Sequence, residues 1–529
     1  MKAVGDALNV YDEVLYPATS FPQTHPNRLA TVAFLRGMEP AQIDRCRVLE
    51  LGCGVGSNLI GMASQLSGTE FIGLDLAGRP IASGQSWVKE IGLRNITLHP
   101  MDLCEASPER FGRFDFIIAH GLYSWVPAHV RERILAICRD MLNPQGVAYV
   151  SYNAYPGNHL RDLVRGMMRF HTAAFEDPAE KAGQARGLLK FLAESTPQPD
   201  YYVAAIRAQF ERTLKCADEA FYHDDLSEVN QPFYFNEFIS DAGRHGLQFL
   251  GEARANDLPA GKFTPQVMQR MKELDGASEV VQEQYKDFIR GTAFRETLLC
   301  HTEITIASNP LVERVPKLFA CCDATPKEEP EDQDGMTTLF RRPKESELET
   351  THPLVSAALK SLCSSWPEAV SFETLLATAR TATTAAAFNR SDRAEAEAET
   401  LAGALMRAYR AGFLQLQIFP HQVTRVLSER PAVSRLARFL LERGASAPNQ
   451  LHVFIKFPDP LSRRLVQLLD GTRDREMLTS DLIEYVRSGQ GQLFENGLLV
   501  DNMTDVAIIL ERRVREELAT LAREGMLVS

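Results

Sequence analysis

Between residues 48 and 151, short apolar runs alternate with stretches in which apolar residues recur at helical spacing. The runs are VLEL (48–51), EFIGLD (70–75), NITLH (95–99), FDFIIA (114–119) and GVAYVS (146–151). Runs this short and this uniformly apolar predict strands buried on both faces, as in a parallel sheet. Leu59, Ile60, Met62, Ala63 and Leu66 have the spacing of a helix face, as do Ile134, Leu135, Ile137, Cys138, Met141 and Leu142. Strand and helix in alternation predict an α/β fold: a doubly wound, Rossmann-like sheet with right-handed crossovers. Gly52, Gly54 and Gly56 lie between the first strand and the first helix. Without Cβ atoms they permit a tight turn and a close backbone approach to a ligand.

Carboxylates close successive strands. Glu50 sits within the end of the first, Asp75 ends the second, and Asp102 follows the third. Ligands of such sheets bind beyond the carboxyl ends of the strands, and Asp75 lies where a carboxylate accepts both ribose hydroxyls. The last glycine follows the second by two residues rather than the three of the phosphate-binding fingerprint. This acidic-x-Gly-x-Gly-x-Gly pattern resembles the first motif of class I S-adenosylmethionine (SAM) methyltransferases, whose cofactor has no pyrophosphate to cradle. The resemblance implies SAM as cofactor. It assigns cofactor binding to Glu50, Gly52, Cys53, Gly54, Asn58, Asp75, Leu76, Asp102, Leu103, Ala119 and His120, with Asp102 accepting from the adenine amino group.

A narrower resemblance rests on PQTHP (22–26), LELGCGVGSN (49–58), AHGLYSWVP (119–127), YVSYNAYPGNHLRDLVRGMMRFH (149–171) and YHDDLSEVNQPFYFNEFISDAGRHGLQFLGEA (222–253). These stretches are similar to bacterial methyltransferases with a methyltransferase regulatory domain, a family that includes rickettsial protein-lysine methyltransferases acting on outer-membrane proteins. The resemblance implies a protein substrate, a cell-surface or outer-membrane protein before export, with lysine side chains as acceptors. Methylation of a small molecule or of another heteroatom, and a non-catalytic SAM-binding regulator, stand as alternatives.

SAM is already activated, so the protein mainly aligns donor and acceptor. The methyl group would face the loop after the fourth strand. His120, Tyr123 and Trp125 on that loop, with Tyr152 and Asn153 after the fifth strand, are therefore the candidate catalytic residues. Aromatic walls disfavour the charged form of a lysine and hold an ammonium by its cation–π attraction. His120 is either a general base or a hydrogen-bond partner. Trp125 either faces the acceptor or packs against the helix that follows. Tyr11, His25, Tyr155, Tyr222 and His223 are the candidate substrate-binding residues. Asp162, Arg161 and Arg165 read as a solvated helix face. His223, Asp224 and Asp225 are ligand types, but adjacent residues rarely converge on one ion, so no metal is expected.

The rest of the chain bounds this reading. Its 529 residues, 45% hydrophobic and 24% charged, suffice for several domains. No apolar run reaches the roughly 18 residues of a membrane span. Residues 1–17 lack an apolar signal core, and nine cysteines show no CxxC pair, so a reduced cytoplasmic protein is expected. A net charge of −12 argues against binding nucleic acid. The expected organisation is a strap or lid over 1–47 and a SAM-binding domain over 48–175. A helical regulatory domain follows over 176–322, and the pattern is read as helical from about 160 to 310, apart from a strand at 247–251. Residues 323–350 are expected to form an acidic linker, its KEEPEDQDG run predicted to stay unfolded. A winged-helix-like unit over 351–425 and a helical unit over 426–529, with one strand candidate over 450–457, complete the chain. The oligomeric state is left open.

Overall fold

The structure, a computed structural model, describes residues 16–195, 197, 200–254, 263–274, 276–327, 337–343, 346–383 and 390–528. The chain enters through helix α1 (Pro26–Leu35). Strand β1 (Arg47–Leu51) and helix α2 (Ser57–Gln65) then frame the glycine turn. Next come β2 (Glu70–Asp75), α3 (Gly78–Ile91), β3 (Ile96–Pro100), β4 (Phe114–Ala119), α4 (Ala128–Met141) and β5 (Leu142–Asn153). Val48, Leu49, Leu51, Phe71 and Leu74 have no exposed surface, as two-faced burial requires.

The sheet holds seven strands in the order β3-β2-β1-β4-β5-β7-β6. Its first five strands are parallel. Strands β6 (Leu247–Glu252) and β7 (Phe294–His301) return from the following segment and pair antiparallel beside β5. The segment read as helical thus adds a second strand, β7, which lies between β5 and the edge strand β6. Its sequence, FRETLLCH, hid this because Arg295, Glu296 and Thr297 are polar yet buried.

Between β5 and β6 lie α5 (His159–His171), α6 (Pro178–Ala193), α7 (Tyr201–Thr213) and α8 (Phe235–Arg244). The first three share a core of Val164, Met168, Ala185, Leu189, Ile206 and Phe221. Arg161 and Arg165 do not form the solvated face expected of them. Arg161 donates to Asp225 at 2.8 Å, Arg165 donates to the Ser227 carbonyl, and Asp225 is fully buried. Asp162 accepts from the Tyr155 hydroxyl at 2.9 Å. A buried carboxylate needs such partners, and the segment after α7 supplies it. Helix α9 (Glu279–Arg290) leads into β7.

The segment expected as a linker over 323–350 instead carries paired strands and a buried side chain, Phe340. Thr325–Lys327, Thr338–Arg341 and Glu347–Thr350 form an antiparallel sheet, and the acidic run between the first two lies outside the described residues, Lys327 apart. Phe319–Cys321 pairs with Val370–Ser371 and Gln415–Gln417, covered by helices Pro353–Ser365, Phe372–Thr383 and Arg390–Arg410. The last hundred or so residues carry the strand expected over 450–457 as Phe454–Lys456, paired with Ser446–Pro448, and a second pair that joins Phe494–Glu495 to Leu498–Leu499. Their apolar faces share one core with the outer face of the first sheet, where Ile60 of α2 joins Leu436, Leu465 and Leu510. Helix α1 is buried along nearly its whole length and bridges two cores, Leu29 in one and Phe34 in the other. Among the described residues no helix is long and apolar enough to cross a membrane.

Candidate active site

After β1 the chain turns through Gly52, Gly54 and Gly56 at φ 70°, 56° and 74°, left-handed backbone that glycine adopts without strain. The amides of Gly52 and Cys53 donate to the Leu74 carbonyl at 2.8 and 3.2 Å. Asp75 closes the knot: its two oxygens accept from the Gly54 and Ala77 amides at 2.7 and 2.8 Å. A Cβ on Gly54 would meet nothing within 4 Å, so the turn presents an open backbone face. Gly73 on β2 leaves room for the Cys53 sulfur, and burial keeps that thiol protonated.

Glu50 lies beneath the turn. Its Oε1 accepts from Asn58 Nδ2 at 2.8 Å, while its buried Oε2 has no partner among the described residues. Burial pushes its pKa up to about 8 against the Asn58 hydrogen bond, so the group holds a proton at neutral pH. Leu76, at the end of β2, is 63% exposed, an apolar face open to a flat base. Asp102, after β3, is exposed and caps its own turn by accepting from the Cys104 amide at 2.8 Å; Leu103 beside it is buried. An open glycine turn, an unpartnered carboxyl oxygen, an exposed leucine and carboxylates at two strand ends fit an adenosine-bearing cofactor.

Residues 19–25 cross this corner. The Ser57 hydroxyl donates to the Thr19 carbonyl at 2.7 Å, and the Phe21 amide donates to Asn58 Oδ1 at 3.0 Å. The Phe21 ring then lies 3.8 Å from the ring of His120, which follows Ala119 at the end of β4. His120 Nδ1 is 2.8 Å from the Tyr149 hydroxyl. Burial, helped by nearby Arg254, lowers the His120 pKa to about 3, so its imidazole is neutral.

Beside His120 opens a cavity of about 460 Å³ lined by Phe21, Gln23, His120, Glu252, Arg254, Phe294 and Glu296. Gln23 donates to one oxygen of Glu296 at 2.8 Å, and the exposed Arg254 pairs with the other at 2.8 Å. Burial raises the Glu296 pKa against the pull of Arg254. Glu252 is held from behind by Arg295 at 2.8 Å and by the Thr297 hydroxyl at 2.8 Å. A larger cleft of about 760 Å³, lined by Arg113, Arg133, Arg139 and Glu303 among others, opens at the opposite ends of the strands, away from the glycine turn.

Of the five candidate catalytic residues, only His120 borders the cavity. Tyr123 and Tyr152 are core side chains. Phe238 of α8 stacks on Tyr152 at 4.1 Å and meets Tyr123 edge-on at 5.2 Å, sealing both from solvent. Asn153 is buried and donates to Asn230 at 2.8 Å. Trp125 is half-buried, with the Arg161 guanidinium 6.0 Å from its ring. The substrate candidates fare similarly. Tyr155 stacks on His159 at 4.0 Å. Tyr222 and the buried His223 lie edge-on at 5.5 Å. His25 caps α1, its Nδ1 accepting from the Asn27 amide at 3.2 Å. Tyr11 lies outside the described residues. No group of side chains among those described could hold a metal ion.

The cavity residues missed in the sequence left uneven signals. Phe21 immediately precedes PQTHP, Gln23 lies inside it, and Glu252 lies in the long stretch ending at Ala253, so all three adjoin segments that carry the family resemblance. Phe294 and Glu296 sit on the strand that the pattern did not announce.

The sheet and its glycine corner define a methyltransferase of the class I fold. Residues 48–146 match the model of a methyltransferase domain, 217–301 that of a predicted methyltransferase regulatory domain, and 429–526 that of the PKMT C-terminal winged helix domain. The winged-helix description therefore falls on the segment read from the sequence as helical. An uncharacterized protein of Rickettsia prowazekii is 29% identical over 518 residues, covering 95% of this chain and 91% of its own. A second, from the same organism, is 34% identical over 241 residues, covering 45% of this chain and 96% of its own. PKMT2 from Rickettsia typhi, solved alone and in complex with AdoHcy, superposes with a TM-score of 0.86 at 25% identity, covering 97% of this chain and 100% of its own. The chain belongs to this rickettsial-type family of methyltransferases with a regulatory domain.

Proposed function

We propose that this protein is a SAM-dependent methyltransferase acting on lysine side chains of a protein substrate. The observation that carries the acceptor assignment is the cavity beside His120, whose walls are aromatic and whose floor is a carboxylate already paired with a side-chain cation. PKMT2 binds AdoHcy, the product form of SAM, and the glycine turn, Asp75, Leu76 and Asp102 are the residues here that would hold the nucleoside. Bound there, SAM supplies a methyl group on a sulfonium, displaced in line with the S–C bond pair returning to sulfur.

The chain's own residues then have defined tasks. Glu296 and Gln23 receive the acceptor ammonium in place of the Arg254 guanidinium. The nitrogen must shed a proton before it can form the new N–C bond, and the Glu296 carboxylate, made more basic by burial, takes it. Phe21, Phe294 and the neutral His120 ring exclude water and favour the uncharged amine. The reaction belongs in the cytoplasm, on a surface or outer-membrane protein before its export. Transfer of labelled methyl from SAM into cell lysate, followed by peptide mapping, tests this. Label on protein lysines is expected. Label confined to small molecules would assign a small-molecule acceptor, and SAM binding without label would make the protein a regulator.

A further inference from the structure

We propose that the C-terminal winged-helix domain is part of the cofactor site, with His452 as a positioning residue for the glycine corner. This rests on SAM occupying that corner. His452 is fully buried and holds a left-handed backbone at φ 60°, a conformation that costs a non-glycine residue free energy and persists where surrounding contacts fix it. Its Nε2 lies 2.8 Å from Asn58 Oδ1, although the two residues are 394 positions apart.

The direction of that hydrogen bond follows from its neighbours. Asn58 Oδ1 already accepts from the Phe21 backbone amide at 3.0 Å, which can only donate. The same side-chain amide donates through Nδ2 to Glu50 Oε1 at 2.8 Å and to the Thr24 hydroxyl at 3.0 Å. Asn58 is therefore oriented with its oxygen toward His452, and His452 Nε2 must carry the hydrogen. Its Nδ1 is buried without a partner among the described residues, and burial lowers the pKa to about 3, so the ring is a neutral donor in a single tautomer.

Helix α2 is shaped to admit the ring. A Cβ at Gly61, one turn beyond Asn58, would lie 2.8 Å from the His452 ring. The strap joins the same cluster, the Ser20 hydroxyl donating to the His452 carbonyl at 2.8 Å, and Gln65 at the end of α2 donates to the Asn449 carbonyl at 3.2 Å. The C-terminal domain thus reaches the cofactor through an ordered relay. His452 sets Asn58, Asn58 sets Glu50 and the strap amide of Phe21, and Glu50 lies under the turn that faces the nucleoside. A domain that merely packed against the sheet would not require a buried donor at this one atom.

Calorimetric titration of the full chain with SAM, together with steady-state kinetics, tests the proposal. The variant His452→Leu, which fills the space without a donor, should weaken SAM binding and raise its KM about tenfold, the loss of one buried hydrogen bond, with kcat at saturating SAM unchanged. His452→Gln, which keeps an amide donor, should restore affinity to within about threefold of the wild type. Wild-type SAM affinity in a folded His452→Leu protein overturns the proposal. Failure of the wild-type chain itself to bind SAM would instead overturn the cofactor reading. If His452→Leu does not fold, hydrogen exchange on the wild-type chain decides. S-adenosylhomocysteine should slow exchange at residues 449–456 by linkage, and unchanged exchange there in a chain that binds it overturns the relay.

Discussion

Replacing Arg295 with alanine should strip a buried charge cluster of its central cation and destabilise the fold strongly. The Arg295 side chain is 1% exposed and sits among three carboxylates. It donates to Glu252 at 2.8 Å, to Glu283 at 3.1 Å and to Asp287 at 3.0 Å, with its guanidinium 4.0 Å from the centre of the Phe235 ring. Burial raises the pKa of Glu252 and Asp287 even with the arginine in place. Burial also works against the charge on Glu283, but Lys286 and Arg295 outweigh it and hold that pKa down. Removing the guanidinium leaves buried like charges facing one another, with Lys286 still beside Glu283. Breaking a buried pair in this way costs about 3–5 kcal/mol. The pH dependence carries the sign of the cause. In the variant the stranded carboxyls have pKa values raised above those of the unfolded chain, so the folded state binds the extra protons. Its deficit against the wild type must then shrink as pH falls from 8 toward 6. Native-state hydrogen exchange of the β7 amides, corrected for intrinsic rates, measures both quantities. A loss below about 1 kcal/mol, or a deficit that widens toward pH 6, would refute the assignment of this cluster as a charge-compensated core.

Asp75→Ala should abolish measurable SAM binding by calorimetry while circular dichroism stays that of the folded protein, because the change removes the proposed ribose acceptor and unties the Gly54 amide; unchanged affinity would sink the assigned contact. Glu296→Gln should lower kcat, raise the KM for a lysine-bearing protein at least tenfold and leave SAM affinity unaltered; unchanged kcat and acceptor KM would remove Glu296 from the acceptor site. Glu50→Gln bears on pH. A carboxyl whose folded pKa is raised from 4.5 to about 8 contributes fully below pH 4.5 and loses that contribution as pH rises through 8. The neutral glutamine does not titrate, so its stability relative to wild type should improve by about 2 kcal/mol between pH 5.5 and 7.5. Parallel stability curves for the two proteins over that window would show that Glu50 is not protonated in the fold.

The adenosine side of the site was legible as local pattern. A buried strand, a turn requiring left-handed backbone and a carboxylate at the next strand end are each written in a few consecutive residues, because steric limits on φ and the need to bury apolar faces act locally. The cavity beside His120 was not. Tyr123 and Tyr152 carry the same aromatic character as Phe21 and Phe294, and nothing in their sequence neighbourhoods tells a sealed ring from one facing a cavity. Helix α8 decides it by laying Phe238 across the first pair. Arg295 and Glu296 disguised β7 as something other than a buried strand, since their burial depends on partners from α9, the strap and β6.

By itself the sequence determined the parallel sheet, the glycine corner and the family to which the chain belongs. Tertiary structure alone decided which aromatic rings face the cavity beside His120, which carboxylates are compensated, and that His452 meets the Asn58 side chain beneath the glycine turn. The physical reason is range. Backbone geometry and periodic burial are set by neighbours along the chain, whereas the charge state and direction of a buried polar group are set by whatever packing brings against it.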